Sequence, residues 1–422
     1  MARRYFGTDG VRGVVGDDLT PELVERLGKA AALWSRRGRV FVGRDTRASG
    51  PELEDAFARG VVAAGGNAVL GGVLPTPAVA LLTLDLGAVI SASHNPPEYN
   101  GVKIFGPGGQ KLTDAEEEDI EALLDASPDP GPPGSLDRVG IAADSYIEHI
   151  VERFGSDLGG LRVAVDCANG AYSAIAPKAF ESLGARVTAV AAEPDGTNIN
   201  VGCGAADLST LQQTVASGRF DLGVAFDGDG DRMLAVDAEG CLVDGDQILA
   251  VLALHLGVDL VAVTVMTNLG FHRFAAEHGI RVVTTDVGDR YVLEALRTEG
   301  GVLGGEQSGH VIYLRDHVTG DGLAAALLLC GALGERTLAA AVAVMPQFPQ
   351  EKENVVVRTK EIPDELREEI ARLNDELGDE GRVLVRASGT EPVVRILTEA
   401  EDRSRAASLC GTIAALVRRE LG

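Results

Sequence analysis

The sequence predicts an α/β protein in which helices cover mixed or parallel sheets, and two observations indicate this class. Short apolar or β-branched runs alternate with helical patterns along the chain, and this alternation is typical of βαβ units. The chain has 422 residues, of which 45% are apolar. It can therefore bury several cores, and at about 150 residues per domain we expect about three domains, give or take one.

The predicted strands and helices follow one another in pairs. In chain order, the pairs are a strand at 40–42 with a helix from Pro51, a strand at 163–165 with a helix near Ala174, and a strand at 261–265 with a helix near Phe271. A last unit contains a strand at 354–357 and a closing helix at 404–421.

Loops divide these units into domains. Residues 128–134 contain four prolines and two glycines, a composition that suits neither helix nor strand, and we expect a boundary near residue 150. Units of strand and helix start again near Leu161, near Val258 and after Pro349. The predicted domains are therefore 1–152, 153–252, 253–349 and 350–422.

The charge balance limits the classes of partner. Asp and Glu outnumber Lys and Arg by 63 to 38, and the formal net charge is −25. Such a chain repels nucleic-acid phosphates. The longest uncharged apolar run, at 322–330, is shorter than the roughly 20 residues of a membrane span, and the N-terminus lacks the apolar stretch of a signal peptide. We expect a cytoplasmic protein that binds neither nucleic acid nor membrane, and an anionic small-molecule ligand would need a local cluster of positive charges.

The cysteines predict neither a disulfide framework nor a zinc site. The five cysteines are far apart, odd in number and never arranged as CxxC, so we expect reduced thiols.

The stretch ISASHNP, at 90–96, places a serine where a buried strand stops. Val89 and Ile90 are apolar, and a cluster of small polar residues follows until Pro96. Ligands of open α/β sheets bind at such strand ends, so Ser93 is a candidate reactive residue. The alternative is that Ser93 or Asn95 caps a following helix.

The stretch DGDGDR, at 227–232, predicts a cation site. Asp227, Asp229 and Asp231 occur at every second position after an apolar run, and oxygen ligands that converge in a glycine-containing loop suit Mg²⁺. A calcium EF-hand is excluded, because it requires Gly and Glu where the chain has Arg232 and Ala238. A solvated acidic turn is the remaining alternative.

Four further stretches offer groups that bind anions or sugars. RASGTEP, at 386–392, and Arg395 supply guanidinium groups, hydroxyls and glycine-exposed amides that could surround a phosphate. GEQSGH, at 305–310, supplies a carboxylate, an amide, a hydroxyl and an imidazole, which suit sugar hydroxyls. Cations occur in the glycine-bounded loops 6–13 and 43–47. RASGTEP could also be an ordinary turn, the two N-terminal loops could be exposed turns, and His310 could be a buried, satisfied histidine after a turn.

Taken together, five stretches resemble the α-D-phosphohexomutase superfamily, in that family's order and spacing over the whole chain. They are FGTDGVRG (6–13), SASHNP (91–96), DGDGDR (227–232), GEQSGH (305–310) and RASGTEP (386–392). The resemblance implies four domains around a central cleft: three related mixed-sheet α/β domains and a smaller C-terminal α+β domain with an antiparallel sheet. It also implies a mobile last domain, since one phosphate pocket must accept either end of a sugar phosphate.

The resemblance implies roles for the residues of these stretches. Ser93 would carry a phosphoryl group, and together with Asp227, Asp229 and Asp231 it would hold one Mg²⁺ ion per subunit. The residues expected to serve phosphoryl or proton transfer are Ser93, His94, Lys103, Arg12, Arg232 and His310. Those expected to bind substrate are Glu306 and Ser308 at sugar hydroxyls, and Arg386, Ser388, Gly389, Thr390 and Arg395 at the phosphate that is not reacting.

The implied activity is a mutase reaction on an amino-sugar phosphate. Glucosamine 6-phosphate and glucosamine 1-phosphate would interconvert through phosphorylated Ser93 and glucosamine 1,6-bisphosphate, an intermediate and activator, and the product would feed UDP-N-acetylglucosamine and cell-wall synthesis. The stretches that favour glucosamine are 194–200, 267–270, 287–292 and 319–323. Glucose or mannose phosphates are the alternative substrates, and an inactive protein that binds metal and sugar phosphate is the alternative class. We also expect a homodimer, and a first phosphorylation of Ser93 by an activating kinase or by autophosphorylation.

Overall fold

The computed structural model describes residues 4–7, 9–36, 38–126, 132–388 and 392–422. These residues divide into two units. One contains the described residues up to Val265 together with Val282–Val342, and the other contains Met266–Arg281 together with the described part of Ala343–Gly422. The chain carries three mixed-sheet α/β domains and a smaller C-terminal domain.

The first domain is built on a six-stranded mixed sheet. Its strands are β1 (Val11–Val14), β2 (Arg39–Arg44), β3 (Asn67–Val73), β4 (Leu86–Ile90), β5 (Tyr99–Phe105) and β6 (Leu136–Arg138). They lie in the order β1-β5-β4-β2-β3-β6. Strand β2 runs parallel to β3 and β4, whereas β5 runs antiparallel to β4 and β1. The carboxyl ends of β2, β3 and β4 therefore meet at one edge of the sheet.

The first four helices of this part of the chain pack around that sheet, whereas the fifth packs against other helices. In chain order, the helices are α1 (Pro21–Trp34), α2 (Gly50–Ala63), α3 (Thr76–Leu82), α4 (Asp114–Ala122) and α5 (Ala142–Phe154). Helix α1 starts where the Thr20 side chain accepts a hydrogen bond from the Leu23 amide, a favourable N-terminal cap. Its core-facing Leu27 is fully buried with Phe57 of α2 and Val42 of β2. Helix α5 runs through residue 152, the predicted end of the first domain.

The second domain is built on a five-stranded mixed sheet. Its elements are β7 (Arg162–Asp166), α6 (Ala176–Ser182), β8 (Arg186–Val190), α7 (Ser209–Ser217), β9 (Leu222–Phe226), β10 (Met233–Asp237) and β11 (Leu242–Val243). The strand order is β11-β10-β9-β7-β8. Strand β7 is parallel to β8 and β9, and β10 is antiparallel to both of its neighbours.

The third sheet has four strands in the order β13-β12-β14-β15. The elements of this stretch are α8 (Gly245–Leu256), β12 (Leu260–Thr264), α9 (Leu269–Glu277), β13 (Arg281–Thr285), α10 (Asp289–Glu299), β14 (Leu303–Gly305), β15 (Val311–Tyr313), α11 (Gly322–Leu333) and α12 (Leu338–Val342). Strand β14 is parallel to β12 and antiparallel to β15. Helix α9 belongs to the second unit, whereas the sheet belongs to the first.

The C-terminal domain has a three-stranded antiparallel sheet in the order β16-β18-β17. Its elements are β16 (Gln350–Val356), α13 (Asp364–Leu377), β17 (Gly381–Ala387), β18 (Val393–Ala400) and α14 (Arg403–Leu421). Helix α14 covers the sheet, and its Ile413 and Val417 are fully buried against Val394 and Ile396 of β18. The expected antiparallel C-terminal sheet is confirmed.

The predicted pairs of strand and helix are confirmed, with shifted ends. The strands at 40–42, 163–165 and 261–265 coincide with β2, β7 and β12, and the closing helix is α14. The last predicted strand begins at Gln350 rather than at residue 354. The Pro- and Gly-rich loop at 128–134 lies partly outside the described residues. Across the described part of the chain, no helix combines the length and apolar character needed to span a bilayer.

Candidate active site

The candidate site forms where loops follow the carboxyl ends of strands. Ser93 follows β4, and Asp45 and Arg47 follow the parallel neighbour β2. Asp227 follows β9 of the second sheet, and Glu306 follows β14 of the third. Because ligands of α/β sheets bind at these ends, these four loops lie where the fold can present their side chains to a ligand.

Ser93 is buried and hydrogen-bonded to the acidic stretch. It is 1% exposed, its Oγ donates to Oδ2 of Asp227 at 2.6 Å, and Nδ1 of His94 lies 3.2 Å from the same Oγ. Its backbone has φ of 52°, in the left-handed region that non-glycine residues rarely adopt. No helix starts between residues 91 and 106, a stretch described throughout, so the alternative of a helix cap is wrong.

The three aspartates of the acidic triad, Asp227, Asp229 and Asp231, converge. Each offers a carboxylate oxygen, and these atoms lie within 4.8 Å of one another. Oδ2 of Asp229 accepts a hydrogen bond from the Thr76 hydroxyl at 2.6 Å, whereas its Oδ1 is buried without a hydrogen-bond partner among the described residues. All three side chains are almost fully buried, which excludes the solvated acidic turn.

The electrostatics of the triad suit a divalent cation. Burial, followed by the like charges of Asp231 and Asp229, raises the pKa of Asp227 well above its usual value. A buried cation with oxygen ligands would offset both effects, and the unpartnered oxygen of Asp229 would be one of its ligands. The residues present therefore fit a metal ion of the Mg²⁺ type.

The triad loop and the serine loop approach so closely that only glycine fits at position 228. A Cβ atom there would lie 2.7 Å from the carbonyl oxygen of Ser93, 2.8 Å from Nδ2 of Asn200 and 2.8 Å from Cδ1 of Ile199. These distances are shorter than van der Waals contact. The glycine between the first two aspartates thus allows the carboxylate of Asp227 to reach Ser93.

Positive side chains surround the triad. Nζ of Lys103 lies 3.3 Å from Oδ2 of Asp231 and 3.2 Å from Oδ1 of Asp9, and Arg12 also contacts Asp9. Burial raises the pKa of Asp9, but the charges of Lys103, Lys111 and Arg12 outweigh burial and hold it below its usual value. Burial lowers the pKa of Lys103, but Asp9 and Asp231 outweigh burial and raise it above the usual value. Lys103 therefore stays protonated near neutral pH.

His310 lies between two carboxylates. Its Nδ1 is 3.6 Å from Oδ1 of Asp231, and its Nε2 is 3.2 Å from Oδ2 of Asp289. Asp289 also contacts the ammonium group of Lys111. His310 is thus buried, as the alternative interpretation required, but it is buried beside the metal-binding triad.

His94 differs from His310 in its surroundings. The residue keeps part of its surface exposed, but desolvation, followed by the positive charges of Arg232 and Arg12, lowers its pKa to about 4. His94 is therefore neutral near pH 7, and a neutral imidazole can accept a proton.

A cavity of about 200 Å³ opens beside these groups. Its lining residues are Asp9, Asp114, Asp231, Arg232, Val287, Gly288, Asp289, Arg290, Tyr291, Glu306 and His310. Oε1 of Glu306 accepts a hydrogen bond from the Gly288 amide at 3.1 Å, which orients the carboxylate at the cavity wall. Ser308 is exposed and is not among the residues that line this cavity.

The second unit contains the candidate phosphate residues that the structure describes. Arg386 and Arg395 face each other as cross-strand partners on β17 and β18. They line a cavity of about 300 Å³ together with Lys352 and Asn354. Ser388 is 3% exposed, whereas the predicted Gly389 and Thr390 lie outside the described residues. Adjacent guanidinium groups in a cavity favour an anionic ligand.

Several residues of the site have no role in the sequence-based hypothesis. Asp289 and Arg290 line the cavity, and Lys111 contacts Asp289. Arg47 lies beneath Ser93 and is 1% exposed, so an exposed turn at 43–47 is wrong for this residue. Asn200 also contacts the serine loop. Arg47, Asn200, Asp289 and Arg290 lie in stretches that the sequence analysis had named (43–47, 194–200 and 287–292), but no local pattern indicated Lys111.

Four domain families match the chain in order. They are described as phosphoglucomutase/phosphomannomutase alpha/beta/alpha domain I at residues 3–129, domain II at 144–240, domain III at 244–348 and C-terminal domain at 349–416. A phosphoglucosamine mutase from Saccharopolyspora erythraea is 49% identical over 98% of this chain and 99% of its own.

Solved structures share the fold. A phosphoglucomutase/phosphomannomutase family protein from Burkholderia thailandensis has a TM-score of 0.85 and 25% identity, and the match covers 98% of each chain. Aspergillus fumigatus N-acetylphosphoglucosamine mutase, solved in complex with GlcNAc-6P and magnesium, has a TM-score of 0.71 and 18% identity over 99% of this chain and 96% of its own. The chain therefore belongs to the phosphoglucomutase/phosphomannomutase family, in which it groups with the phosphoglucosamine mutases.

Proposed function

We propose that the protein interconverts glucosamine 6-phosphate and glucosamine 1-phosphate. The observation that carries the proposal is the 2.6 Å hydrogen bond between Ser93 and Asp227 of the acidic triad, in a chain whose family consists of intramolecular phosphotransferases. Identity of 49% to a phosphoglucosamine mutase over nearly the whole chain supports the choice of substrate.

Ser93 is the proposed carrier of the phosphoryl group. In the first half-reaction, the bond between phosphorus and Oγ of phosphorylated Ser93 breaks while a bond to the free sugar hydroxyl forms, and that hydroxyl loses its proton to a base. The product is glucosamine 1,6-bisphosphate. After the bisphosphate turns over, Oγ of Ser93 accepts the other phosphoryl group, and the released sugar oxygen takes up a proton. Bisphosphate that escapes could phosphorylate Ser93 again, which would make it an activator.

The acidic triad is proposed to hold one Mg²⁺ ion, with the oxygen on Ser93 as a further ligand. The unpartnered oxygen of Asp229 and the raised pKa of Asp227 support this assignment. When bound, the ion neutralises charge on the transferring phosphoryl oxygens. The related Aspergillus fumigatus enzyme was solved with magnesium.

Positive side chains and a histidine complete the proposed chemistry. Arg12, Arg232 and Lys103 would stabilise the transferring oxygens, because phosphoryl transfer depends mainly on positioning and on charge neutralisation. His94 is the candidate proton acceptor, because its lowered pKa keeps it neutral near pH 7 and its Nδ1 lies 3.2 Å from Oγ of Ser93. The raised pKa of Lys103 keeps its ammonium group charged, which supports charge stabilisation rather than release of a proton, and His310 would orient the carboxylates of Asp231 and Asp289.

Substrate binding is proposed to use two sets of residues. Glu306 and Ser308 would bind sugar hydroxyls, and the orientation of the Glu306 carboxylate by the Gly288 amide supports the first of these roles. The phosphate that is not reacting would be held by Arg386, Ser388, Gly389, Thr390 and Arg395. The cross-strand pair of Arg386 and Arg395 supports this assignment.

A comparison of substrates tests the proposed function. The value of kcat/KM is measured with Mg²⁺ for glucosamine 6-phosphate, glucose 6-phosphate and mannose 6-phosphate on the same enzyme preparation. We expect the highest value for glucosamine 6-phosphate. A higher value for glucose or mannose 6-phosphate would assign the alternative activity, and binding without turnover of any of the three would contradict an enzymatic role.

A further inference from the structure

Arg47 binds the loop that carries Ser93 from behind. Its Nε donates to Oδ2 of Asp45 at 2.9 Å. One terminal nitrogen donates to the carbonyl oxygens of Pro96 and, at 2.9 Å, Tyr99. The other donates to the carbonyl oxygens of Ser93 at 2.9 Å and Asn95 at 2.8 Å. All five N–H groups of the guanidinium thus have acceptors, and four of these acceptors belong to residues 93–99.

Asp45 extends this network to the amide of Ser93. Its Oδ2 accepts a hydrogen bond from the Ser91 hydroxyl at 2.5 Å, and the Ser91 oxygen accepts one from the Ser93 amide at 2.9 Å. Asp45 and Arg47 are both almost fully buried. The amide and the carbonyl of Ser93 are therefore both held by the same buried ion pair.

Asn200 supplies a second donor to the same two carbonyls from another domain. Its Nδ2 donates to the carbonyl oxygens of Ser93 at 2.9 Å and of Asn95 at 3.2 Å. Its Oδ1 is buried without a hydrogen-bond partner among the described residues. Exchange of the two amide atoms would place an oxygen against two carbonyl oxygens, so the donor role sets the orientation of this amide.

The geometry around Ser93 explains why such a support is needed. Ser93 has φ of 52° and Asn200 has φ of 59°, and such backbone persists in non-glycine residues only where surrounding structure imposes it. Asn200 also touches the triad loop, because a Cβ at Gly228 would lie 2.8 Å from its Nδ2. Asn200 is thus in contact with both loops that must align for the reaction.

We propose that Asn200, together with Arg47, is a positioning residue that holds the backbone of Ser93 so that its Oγ faces the acidic triad. This inference rests on the proposed function, because it assigns the geometry of the reacting serine. It also gives a role to the stretch PDGTNIN, at 194–200, whose Gly196 carbonyl accepts a hydrogen bond from the Ala48 amide at 2.9 Å. Within this stretch, the Gly196 carbonyl and the Asn200 side chain make the contacts that join the loops of the first and second domains.

Two variants of Asn200 test the proposal without disturbing the buried ion pair. Asn200→Gly removes the side chain but suits the left-handed backbone, since glycine adopts positive φ without strain. Asn200→Asp keeps the shape but turns a carboxylate oxygen toward two carbonyl oxygens. Asn198→Ala is the matched control, because the Asn198 side chain bonds only within its own loop, to the Glu193 carbonyl and the Asp195 amide.

The measurements are kcat and KM for glucosamine 6-phosphate, the thermal midpoint, and the ³¹P resonance of phosphorylated Ser93. We expect kcat to fall about 10-fold in Asn200→Gly and about 100-fold in Asn200→Asp, because small displacements of reacting groups cost factors of this size. KM and the thermal midpoint should stay close to wild type, and the phosphoserine resonance should shift. Asn198→Ala should keep the wild-type kcat and resonance.

Two outcomes would overturn the inference. If both Asn200 variants keep the kcat and the phosphoserine resonance of the wild type, the positioning role is contradicted. The proposed function would then still stand, because the wild-type protein turns over its substrate. A loss of kcat in Asn198→Ala as large as that in the Asn200 variants would show that the loop as a whole, rather than the Asn200 side chain, positions Ser93. Absence of mutase turnover in the wild-type protein would instead contradict the proposed function, and the inference with it.

Discussion

The hydroxyl of Ser93 donates a hydrogen bond to Oδ2 of Asp227 across 2.6 Å. This contact joins the end of β4 in the first domain to the end of β9 in the second. The two residues are 134 positions apart in the chain, so the proposed reactive oxygen and the proposed metal-binding carboxylates are brought together by packing of the domains. The predictions below test this arrangement and the roles assigned to its parts.

Removal of one carboxylate of the triad should weaken metal binding. In Asp229→Asn, a buried charged ligand becomes a neutral amide, so we expect the dissociation constant for Mg²⁺ or Mn²⁺ to rise by more than about 10-fold. Isothermal titration calorimetry on the purified protein measures this constant. Asp259→Asn is the control, because Asp259 is exposed and far along the chain from the triad. Equal affinities of both variants and the wild type would contradict the metal assignment.

A methyl group at position 228 should separate the serine loop from the triad. In Gly228→Ala, the new Cβ would lie 2.7 Å from the Ser93 carbonyl oxygen, so the two loops must move apart. We expect kcat to fall by about 100-fold with retention of the folded state in circular dichroism. Gly140→Ala has open space around the added Cβ and should leave kcat unchanged. Full activity of Gly228→Ala would mean that this close approach is not required.

Loss of a guanidinium from the C-terminal domain should weaken substrate binding. In Arg386→Ala we expect KM to rise by about 10- to 100-fold, because the variant loses the binding free energy of a charged hydrogen bond to phosphate. We expect a smaller change in kcat. Arg372→Ala is the matched control, since Arg372 is an exposed residue of α13 that pairs with Glu369 and Glu376. An unchanged KM in Arg386→Ala would count against the phosphate role.

Asp166 should make stability depend on pH. Burial raises its pKa to about 6, although the amides of Gly204 and Ala168 donate hydrogen bonds to its carboxylate. The folded protein therefore binds this proton more tightly than the unfolded chain does. Between the unfolded value of 3.8 and about 6, the native state holds more protons, so the free energy of unfolding falls as pH rises.

Comparison with Asp166→Asn isolates the contribution of Asp166 to the pH dependence of stability, because an asparagine side chain does not titrate. We expect the difference in free energy of unfolding, wild type minus variant, to decrease by about 1 kcal/mol from pH 5 to pH 8. Denaturant titrations of both proteins at the two pH values measure it. A difference that stays constant or increases with pH would contradict the raised pKa.

The position of the site was predictable because local patterns specify it. A buried strand followed by small polar residues predicted that Ser93 follows the end of β4, and the alternation of aspartate and glycine after β9 predicted the convergence of Asp227, Asp229 and Asp231. Parallel strands align their carboxyl ends, so two such motifs meet at the same kind of edge. The antiparallel sheet of the C-terminal domain came from the family resemblance alone.

The supports of the site were not predictable from local patterns. Arg47 is followed by an ordinary helix start, and four of the five acceptors of its guanidinium lie 46 to 52 residues later in the chain. The contact between Lys111 and Asp289 spans 178 residues. Such pairs depend on tertiary packing within and between domains, and a charged residue in a glycine-bounded loop has the same local signature whether it is exposed or buried. Helix α5 likewise continues through residue 152 because its apolar face, with Tyr146 and Ile150, is buried.

The most direct test is the fate of a phosphoryl group on Ser93. Intact-mass spectrometry with peptide mapping is applied to the wild-type protein and to Ser93→Ala before and after incubation with Mg²⁺ and an excess of glucosamine 6-phosphate whose phosphate carries ¹⁸O. We predict one phosphoryl group on Ser93 of the wild type, its replacement by an ¹⁸O-labelled phosphoryl group from the sugar during incubation, and neither phosphorylation nor turnover in Ser93→Ala. Undiminished turnover in Ser93→Ala, or an unlabelled phosphoryl group that stays on the wild type while substrate turns over, would contradict the account.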